Sequence, residues 1–155
     1  MIFLPNNVPS LKNSKTISMI NKKPVLVHSK AVKKYLQSIG VKKYRTRLSK
    51  KQKTAGVIKV EDYVRRPNIF RQSVGNYFDD CQKPVVVKFF FIRKTKAEFD
   101  FSNAVCIIED LLTAHGFIED DNMDCFIPMP MRVEGQWYGY NKDRPGVWLK
   151  IVRTE

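Results

Sequence analysis

The chain has 155 residues, of which 43% are hydrophobic and 28% are charged, and its formal net charge is +13. This length suits one domain with one hydrophobic core, and the apolar content excludes wholesale disorder. The strong positive charge predicts a polyanionic partner, with nucleic acid as the first candidate. No apolar run reaches the roughly 18–20 residues that cross a bilayer, and no leader with a cleavage site is recognisable, so we expect a cytoplasmic protein without a membrane partner.

The first 40 residues predict three short strands and a helix. The strands are MIFL, a segment near Thr16–Ile20, and PVLVHS after the turn at residues 21–24. Ser29 is the predicted N-cap of a helix from Lys30 to Ile39, which Gly40 ends. Residues 41–83 predict a basic loop or insertion, followed by irregular or short helical structure.

The second half of the chain is easier to interpret. PVVVKFFFIRK, residues 84–94, predicts a buried strand because β-branched and aromatic residues dominate it. Ala104, Ile107, Ile108 and Leu111 have helical spacing, which predicts a helix over residues 103–114. A strand after the acidic turn and a closing strand over residues 146–153 complete an α+β fold, a single compact domain with a mixed β-sheet packed against helices.

The ends of this second helix carry recognisable capping residues. Ser102 is the predicted N-cap and Gly116 the residue just past the end. His115 lies at the carboxyl end, where its charge or its dipole would suit the helix C-terminus.

The cysteines do not predict a zinc site or a disulfide framework. Cys81, Cys106 and Cys125 are odd in number and widely spaced, and only His28 and His115 could join them as ligands. We expect reduced, partly buried thiols.

Charge is strongly segregated along the chain. Residues 1–96 hold 23 basic residues (Lys and Arg) and four acidic residues (Asp and Glu). Residues 97–124 hold no basic and eight acidic residues, and residues 125–155 hold five basic and three acidic residues. A generic solvated surface intersperses both signs. The segregation therefore predicts an acidic pocket within a basic surface.

This acidic segment has the residue types of a magnesium site. Mg²⁺ usually takes one or two carboxylates together with waters and substrate phosphate. Asp100 precedes the second helix, and Asp120 and Asp121 follow it. If the chain runs back along the helix, which is roughly 18 Å long, the acids can meet and hold Mg²⁺ for phosphodiester hydrolysis. In the alternative interpretation Asp100 only caps the helix, Glu109 and Asp110 are solvated, and EDDNMD is an acidic turn.

The same residues resemble the RusA family of Holliday junction resolvases, which are small dimeric Mg²⁺-dependent endonucleases. That family has an Asp-x-Asp-Asn-x-x-Lys segment that runs into a helix, then a Gly turn and an Asp-Asp pair. The corresponding segments here are DFSNAVC and EDLLTAHGFIEDD, with the family's spacing from the first Asp to the final pair. VPSLKNSK and LVHSKAVKKYL resemble its amino-terminal loop, strand and helix, so that about 100 of the 155 residues are covered.

The resemblance implies roles for individual residues. Asp100 and Asp121 correspond to catalytic acids and metal ligands, and Asn103 to the Asn beside them. Ser102 replaces the family's second Asp, so Glu98 or Asp120 is the expected compensating ligand. Cys106 replaces the family's Lys. Lys94 or Lys96 could reach the leaving oxygen in its place, although a solvated strand end explains both equally well.

The resemblance also implies a function in DNA recombination and repair, in which a two-fold homodimer cleaves four-way junctions with Mg²⁺ or Mn²⁺. Small resolvases of this kind are often encoded by prophages as well as by bacterial chromosomes. Six residues of the basic amino-terminal region are expected to bind DNA phosphates: Lys12, Asn13, Lys15, Lys30, Lys33 and Lys34. Two alternatives remain open, namely a branched-DNA-binding protein of the same fold that is weak or inactive as an enzyme, and an RNA-binding accessory protein.

Overall fold

The computed structural model describes residues 1–10, 15–20, 23–41 and 68–152, with the backbone alone for residues 15–20 and 23–28. The strands are β1 (Ile2–Pro5), β2 (Lys15–Ile20), β3 (Lys23–His28), β4 (Val85–Arg93), β5 (Phe126–Pro130), β6 (Tyr138–Tyr140) and β7 (Gly146–Val152). The helices are α1 (Lys30–Ser38), α2 (Ile69–Val74) and α3 (Phe101–Ala114). The predicted α+β domain with a mixed sheet is confirmed.

The main sheet has five strands, with β1, β7, β4 and β5 in that order and β6 also paired to β4. Its β1–β7 and β7–β4 pairs are antiparallel, whereas β5 and β6 lie parallel to β4. β5 pairs with the first half of β4, and β6 pairs with its last three residues. β2 and β3 form a separate antiparallel hairpin.

The core lies between one face of this sheet and the helices. Val87, Phe89 and Phe91 alternate along β4 and are at most 1% exposed. They join a core cluster with apolar residues of α1, α2 and α3. The other sheet face carries Phe3, Phe90 and Trp148, of which Phe3 and Trp148 are half-buried with their ring centroids 4.9 Å apart.

The path from β4 through α3 to β5 positions the acidic segment. β4 and β5 are parallel neighbours, so α3 must carry the chain back from the end of β4 to its start. Residues before α3 therefore lie at one end of the helix, and the loop after it begins at the other end.

Several predicted element boundaries require correction. α3 begins at Phe101, and its N-cap is Asp100 rather than Ser102, because the Asp100 carboxylate accepts the hydrogen bond from the backbone N–H of Asn103. β6 lies in a segment predicted to be a loop. Ser29 caps α1 as predicted, and α2 lies within the part expected to be irregular or briefly helical.

His115 is also placed differently from its predicted role. It is 6% exposed, and burial lowers the pKa of its imidazole, with the charge of Arg71 adding to that effect. The ring packs against Phe70 at 4.8 Å between centroids, and its Nδ1 lies 2.7 Å from the Leu111 carbonyl oxygen. The neutral ring fills the core, and of the predicted charge and dipole it is the dipole of the Nδ1–H group that meets the last turn of the helix.

No helix in the described ranges has the length and apolar character needed to cross a membrane.

Candidate functional site

A groove of about 610 Å³ opens at the amino-terminal end of α3. Four of its lining residues are predicted site residues: Glu98, Asp100, Ser102 and Asn103. Ser10, Phe99 and Phe101 also line it. The groove thus joins the Pro-Ser loop near the amino terminus to the segment that enters α3, although about 90 residues separate them in the sequence.

Asp100 is held at the mouth of this groove by its capping role. One carboxylate oxygen accepts the N–H of Asn103 at 3.3 Å, and the residue is exposed. A helix N-terminus stabilises negative charge through its unpaired N–H groups. The predicted cap and the predicted catalytic acid are therefore one side chain, and the capping role alone accounts for its position.

Ser10 is held at the groove by a contact with Arg93, the last residue of β4. The Arg93 side chain is 7% exposed, and its guanidinium donates to the Val8 carbonyl oxygen and, at 3.3 Å, to the Ser10 hydroxyl. The same group lies 5.0 Å from the ring centroid of Phe99. Burial lowers the pKa of Arg93, but a guanidinium remains charged in proteins. Arg93 therefore places a fixed positive charge behind the groove.

A second contact fixes the amino-terminal loop to the same strand end. The backbone N–H of Lys94 donates to the Asn7 side chain at 2.9 Å. Together with the Arg93 contacts, it anchors residues 7–10 beside the start of α3. The sequence pattern gave no sign of Arg93, because a single Arg at a strand end is ordinarily solvated.

Further along α3, four side chains form a cluster: Cys106, Glu109, Asp110 and Asp121. Glu109 is 8% exposed, and burial raises the pKa of its carboxyl to about 7, with the charges of Asp121 and Asp110 adding to the rise. The hydrogen bond with Cys106 opposes this rise. Glu109 therefore holds its proton to a higher pH than an ordinary glutamate does.

Cys106 responds to the same charges. Its thiol pKa is raised by partial desolvation of the sulfur and then by Glu109, Asp110 and Asp121. Because the charge of Asp121 acts on both Cys106 and Glu109, the loop after α3 passes near this part of the helix. The expectation that Glu109 is a solvated helix residue is wrong, and the expected partial burial does not hold for Cys106, which is exposed.

Asp120 shapes the turn that carries Asp121. One of its carboxylate oxygens accepts the N–H of Asp121 at 2.9 Å and the other accepts the Asn122 amide at 2.7 Å. These hydrogen bonds, that of Asn122 first, lower the pKa of Asp120. Both carboxylate oxygens of Asp120 thus stabilise the turn, so Asp120 is less available than Asp121 as a metal ligand.

The groove and the cluster share one face of α3. Asn103, Cys106 and Asp110 stand at i, i+3 and i+7, which places them in one stripe along the helix. Cys106 lies about 9 Å further along the axis than Asp100 at 1.5 Å per residue. Within the described ranges no three His, Cys, Asp or Glu side chains form a group that could hold one metal ion. The predicted metal ligands therefore lie along one face of α3 but at two separate positions, the groove and the cluster.

The predicted DNA-binding residues are only partly described. Lys30, Lys33 and Lys34 are exposed on α1, as a phosphate-binding role requires. Lys15 begins β2, and its side chain is not described. Lys12 and Asn13 lie outside the described residues. Lys94 and Lys96, the possible replacements for the family's Lys, are exposed beyond β4.

Comparison of the chain with protein-family models, with curated proteins and with solved structures finds no match in any of the three.

Proposed function

We propose that the protein is a Mg²⁺-dependent endodeoxyribonuclease that cleaves four-way DNA junctions. Its proposed site lies along one face of α3, from Asp100 at the start of the helix towards Asp121 in the loop that follows it. The observation that carries this proposal is the meeting of Ser10 with Glu98, Asp100, Ser102 and Asn103 in one groove. Two of the segments that resemble the RusA family, VPSLKNSK and DFSNAVC, are distant in the chain, yet residues of both line the same groove.

The carboxylates fit magnesium in their chemistry. Mg²⁺ needs only one or two protein carboxylates when phosphate and water complete its coordination. Asp100 and Glu98, which both line the groove, are the residues that would hold it, and Asp121 lies apart from them in the cluster. When bound, Mg²⁺ supplies Lewis acidity and neutralises negative charge for phosphodiester hydrolysis.

The remaining residues of the site bind and orient the substrate in this proposal. Asn103, at the first turn of α3, offers an amide to a phosphate oxygen, and Ser10 offers a hydroxyl from the opposite wall. Arg93 adds positive potential from behind the groove. Lys30, Lys33 and Lys34 on α1 attract the DNA backbone, which carries most of the affinity and makes it depend on salt.

A two-fold homodimer would place two such sites on two strands of a junction. The half-buried apolar residues Phe3 and Trp148 on the second sheet face support a subunit contact there. Light scattering coupled to gel filtration distinguishes one chain from two. A strictly monomeric protein that still cuts both strands together would contradict the dimer.

A second candidate function is branched-DNA binding with weak or absent catalysis. Cys106 stands where the family has a Lys, and its neighbours Glu109, Asp110 and Asp121 are all acidic. Among the described residues, the charged neighbours of Cys106 are thus all acidic, and none of them can stabilise a leaving oxygen. Tight, salt-sensitive junction binding in EDTA, without cleavage in Mg²⁺, would favour this function.

A cleavage assay on a four-way junction with Ser102→Asp separates the two functions. If the site is an active nuclease weakened by Ser102, the added carboxylate strengthens metal binding and raises cleavage at low Mg²⁺ on the order of tenfold. Asn76→Asp, which adds the same charge at an exposed position after α2, serves as the matched control. Absence of cleavage by both wild type and Ser102→Asp would contradict the nuclease.

A further inference from the structure

Three large aromatic side chains that are close in sequence are exposed at β6 and just before it. Trp137 is 54% exposed, Tyr138 41% and Tyr140 50%. We call these three residues the aromatic ledge. Exposed aromatic residues that are grouped in one surface region mark binding sites more often than scattered apolar ones do.

The ledge is held in place by the sheet. Tyr138 and Tyr140 belong to β6, where they pair with Phe91 and Arg93 of β4. Paired residues project to the same sheet face, so both tyrosines lie on the face that carries α3 and the groove. The backbone N–H of Asn141 donates to the Arg93 carbonyl at 2.9 Å, which continues this pairing beyond the strand.

A tight turn fixes Trp137 just before β6. Val133 and Gln136 exchange two backbone hydrogen bonds of 2.9 Å, and Gly135 between them has φ of 80°. The Arg132 guanidinium donates twice to the Gly135 carbonyl, at 3.2 and 2.7 Å. The ledge is therefore preorganised, which lowers the entropy lost when a partner binds.

Two cations accompany the exposed rings. The Arg132 guanidinium lies 5.2 Å from the ring centroid of Trp137, and the Lys96 ammonium lies 5.6 Å from that of Tyr140. Rings that stack bases, beside cations that pair with phosphates, are the combination found on surfaces that bind single-stranded nucleic acid. The cations favour a polyanionic occupant over an uncharged apolar one.

The ledge is also continuous with the groove. The Tyr138 ring lies 5.2 Å from that of Phe99, which lines the groove next to Asp100. A strand whose phosphate lies at Asp100 can therefore place its neighbouring bases on the ledge.

We propose that the aromatic ledge is a binding site for unpaired nucleotides, on which bases stack against Trp137, Tyr138 and Tyr140 while Arg132 and Lys96 contact the phosphates. The substrate it implies is a branched DNA with unpaired bases at the branch point. This assignment rests on the proposed function for the DNA substrate, but the site binds single strands without metal or cleavage.

Binding is measured with the full chain in EDTA, using fluorescence anisotropy of a labelled oligothymidylate and of a blunt duplex of equal length. We expect the single strand to bind on the order of tenfold more tightly to the ledge than duplex does, since paired bases cannot stack on it. Trp137→Leu should lower single-strand affinity about tenfold, whereas Trp137→Phe, which keeps a ring, should retain most of it. Ile69→Ala removes an exposed apolar side chain on α2 and serves as the matched control.

Arg132→Gln tests the cation independently. It should weaken binding severalfold and reduce the slope of log affinity against log salt by about one. Wild-type affinity in both Trp137→Leu and Arg132→Gln would overturn the proposal. So would a change from dimer to monomer in Trp137→Leu with unchanged single-strand affinity, because the ledge would then be a contact between copies of the chain.

The tryptophan itself provides a direct signal. The chain has two tryptophans, so Trp148→Phe leaves Trp137 as the sole reporter. Saturable quenching of its fluorescence by oligothymidylate supports stacking, and an unchanged spectrum at saturating ligand overturns it. If the single strand binds the ledge but no junction is cut in Mg²⁺, the nuclease proposal fails and the ledge stands. If junctions are cut but the ledge variants bind the single strand with wild-type affinity, the ledge proposal fails and the nuclease proposal stands.

Discussion

The two ends of the acidic face on α3 carry similar residues in opposite environments. At the groove, Glu98 and Asp100 are exposed, and Arg93 lies behind them as a buried cation. At the cluster, Glu109 is buried among acids, and its carboxyl pKa rises to about 7. Acids along one helix therefore differ in their exposure and in the charges beside them. In the proposed function the exposed groove is the place for the metal, whereas Glu109 of the cluster holds a proton to a higher pH than an ordinary glutamate does.

The largest effect on stability is expected at Arg93. Arg93→Met keeps an apolar stem of similar length but removes the donors to Val8 and Ser10, so that a buried carbonyl loses its partner. We expect a loss of about 2 kcal/mol in the free energy of unfolding, measured by urea denaturation. Arg132→Gln, an exposed arginine on the β5–β6 loop, serves as the control and should change stability by less than about 0.5 kcal/mol. Equal stabilities of the two variants would show that Arg93 does not anchor the groove.

Glu109 should make stability depend on pH. Its folded pKa of about 7 exceeds its ordinary value of 4.5, so the folded state binds the proton more tightly. Its contribution to stability is full below pH about 4.5 and is lost as the pH rises through about 7. Glu109→Gln mimics the protonated form, and we expect it to be more stable than wild type by roughly 1–2 kcal/mol above pH about 8 and equal to it at acidic pH.

Thermal or urea unfolding at several pH values checks this prediction. Asp110→Asn, the exposed neighbour, should produce a smaller change of the same sign because it removes only a repulsive charge. A wild-type stability that does not fall between pH about 5 and 8, relative to Glu109→Gln, would contradict the buried cluster.

The sequence predicted more of the groove than of the cluster, for physical reasons. Asp100, Ser102 and Asn103 are local to a helix start, where capping chemistry is visible in the sequence, although Asp100 and Ser102 competed for one cap. Glu109 was missed because its environment depends on the loop that follows α3 and carries Asp121. Periodicity along α3 alone does not contain that tertiary contact.

The same distinction applies to the fold. The strand at residues 84–94 and helix α1 follow from apolar pattern and capping, both of which are local. β6 was missed because its three residues, YGY, pair with β4 only through long-range hydrogen bonds. The contact of Arg93 with Ser10 spans 83 residues and likewise has no local signal.

Cys106 provides a probe of the distance between Asp121 and the helix. Its raised pKa lowers the thiolate fraction, so that alkylation near neutral pH should be slow for an exposed thiol. In a chain with Cys81→Ser and Cys125→Ser, adding Asp121→Asn should raise the iodoacetamide rate modestly at neutral pH, because Asp121 contributes less to the raised pKa of Cys106 than burial, Glu109 and Asp110 do. Asp143→Asn, an exposed acid in the β6–β7 loop, should leave the rate unchanged. Equal rates in both variants would place Asp121 away from Cys106.

The smallest effect is expected at Ser10. Its hydroxyl accepts one long hydrogen bond from Arg93, so Ser10→Ala should cost about 0.5–1 kcal/mol in unfolding free energy. A loss as large as that of Arg93→Met would mean that the hydroxyl, and not the Val8 carbonyl, is the main anchor of the loop.

The central claim is that the groove at Asp100 carries out metal-dependent cleavage, and junction cleavage by Asp100→Asn tests it most directly. The purified chain and the variant are incubated with a labelled four-way junction in Mg²⁺ and in EDTA, and binding is measured in EDTA alongside. We predict wild-type cleavage that EDTA abolishes, with a loss on the order of 10²–10³ in rate for Asp100→Asn at unchanged junction affinity. A junction that the wild type binds tightly but leaves intact in Mg²⁺, with Asp100→Asn behaving identically, would contradict the account.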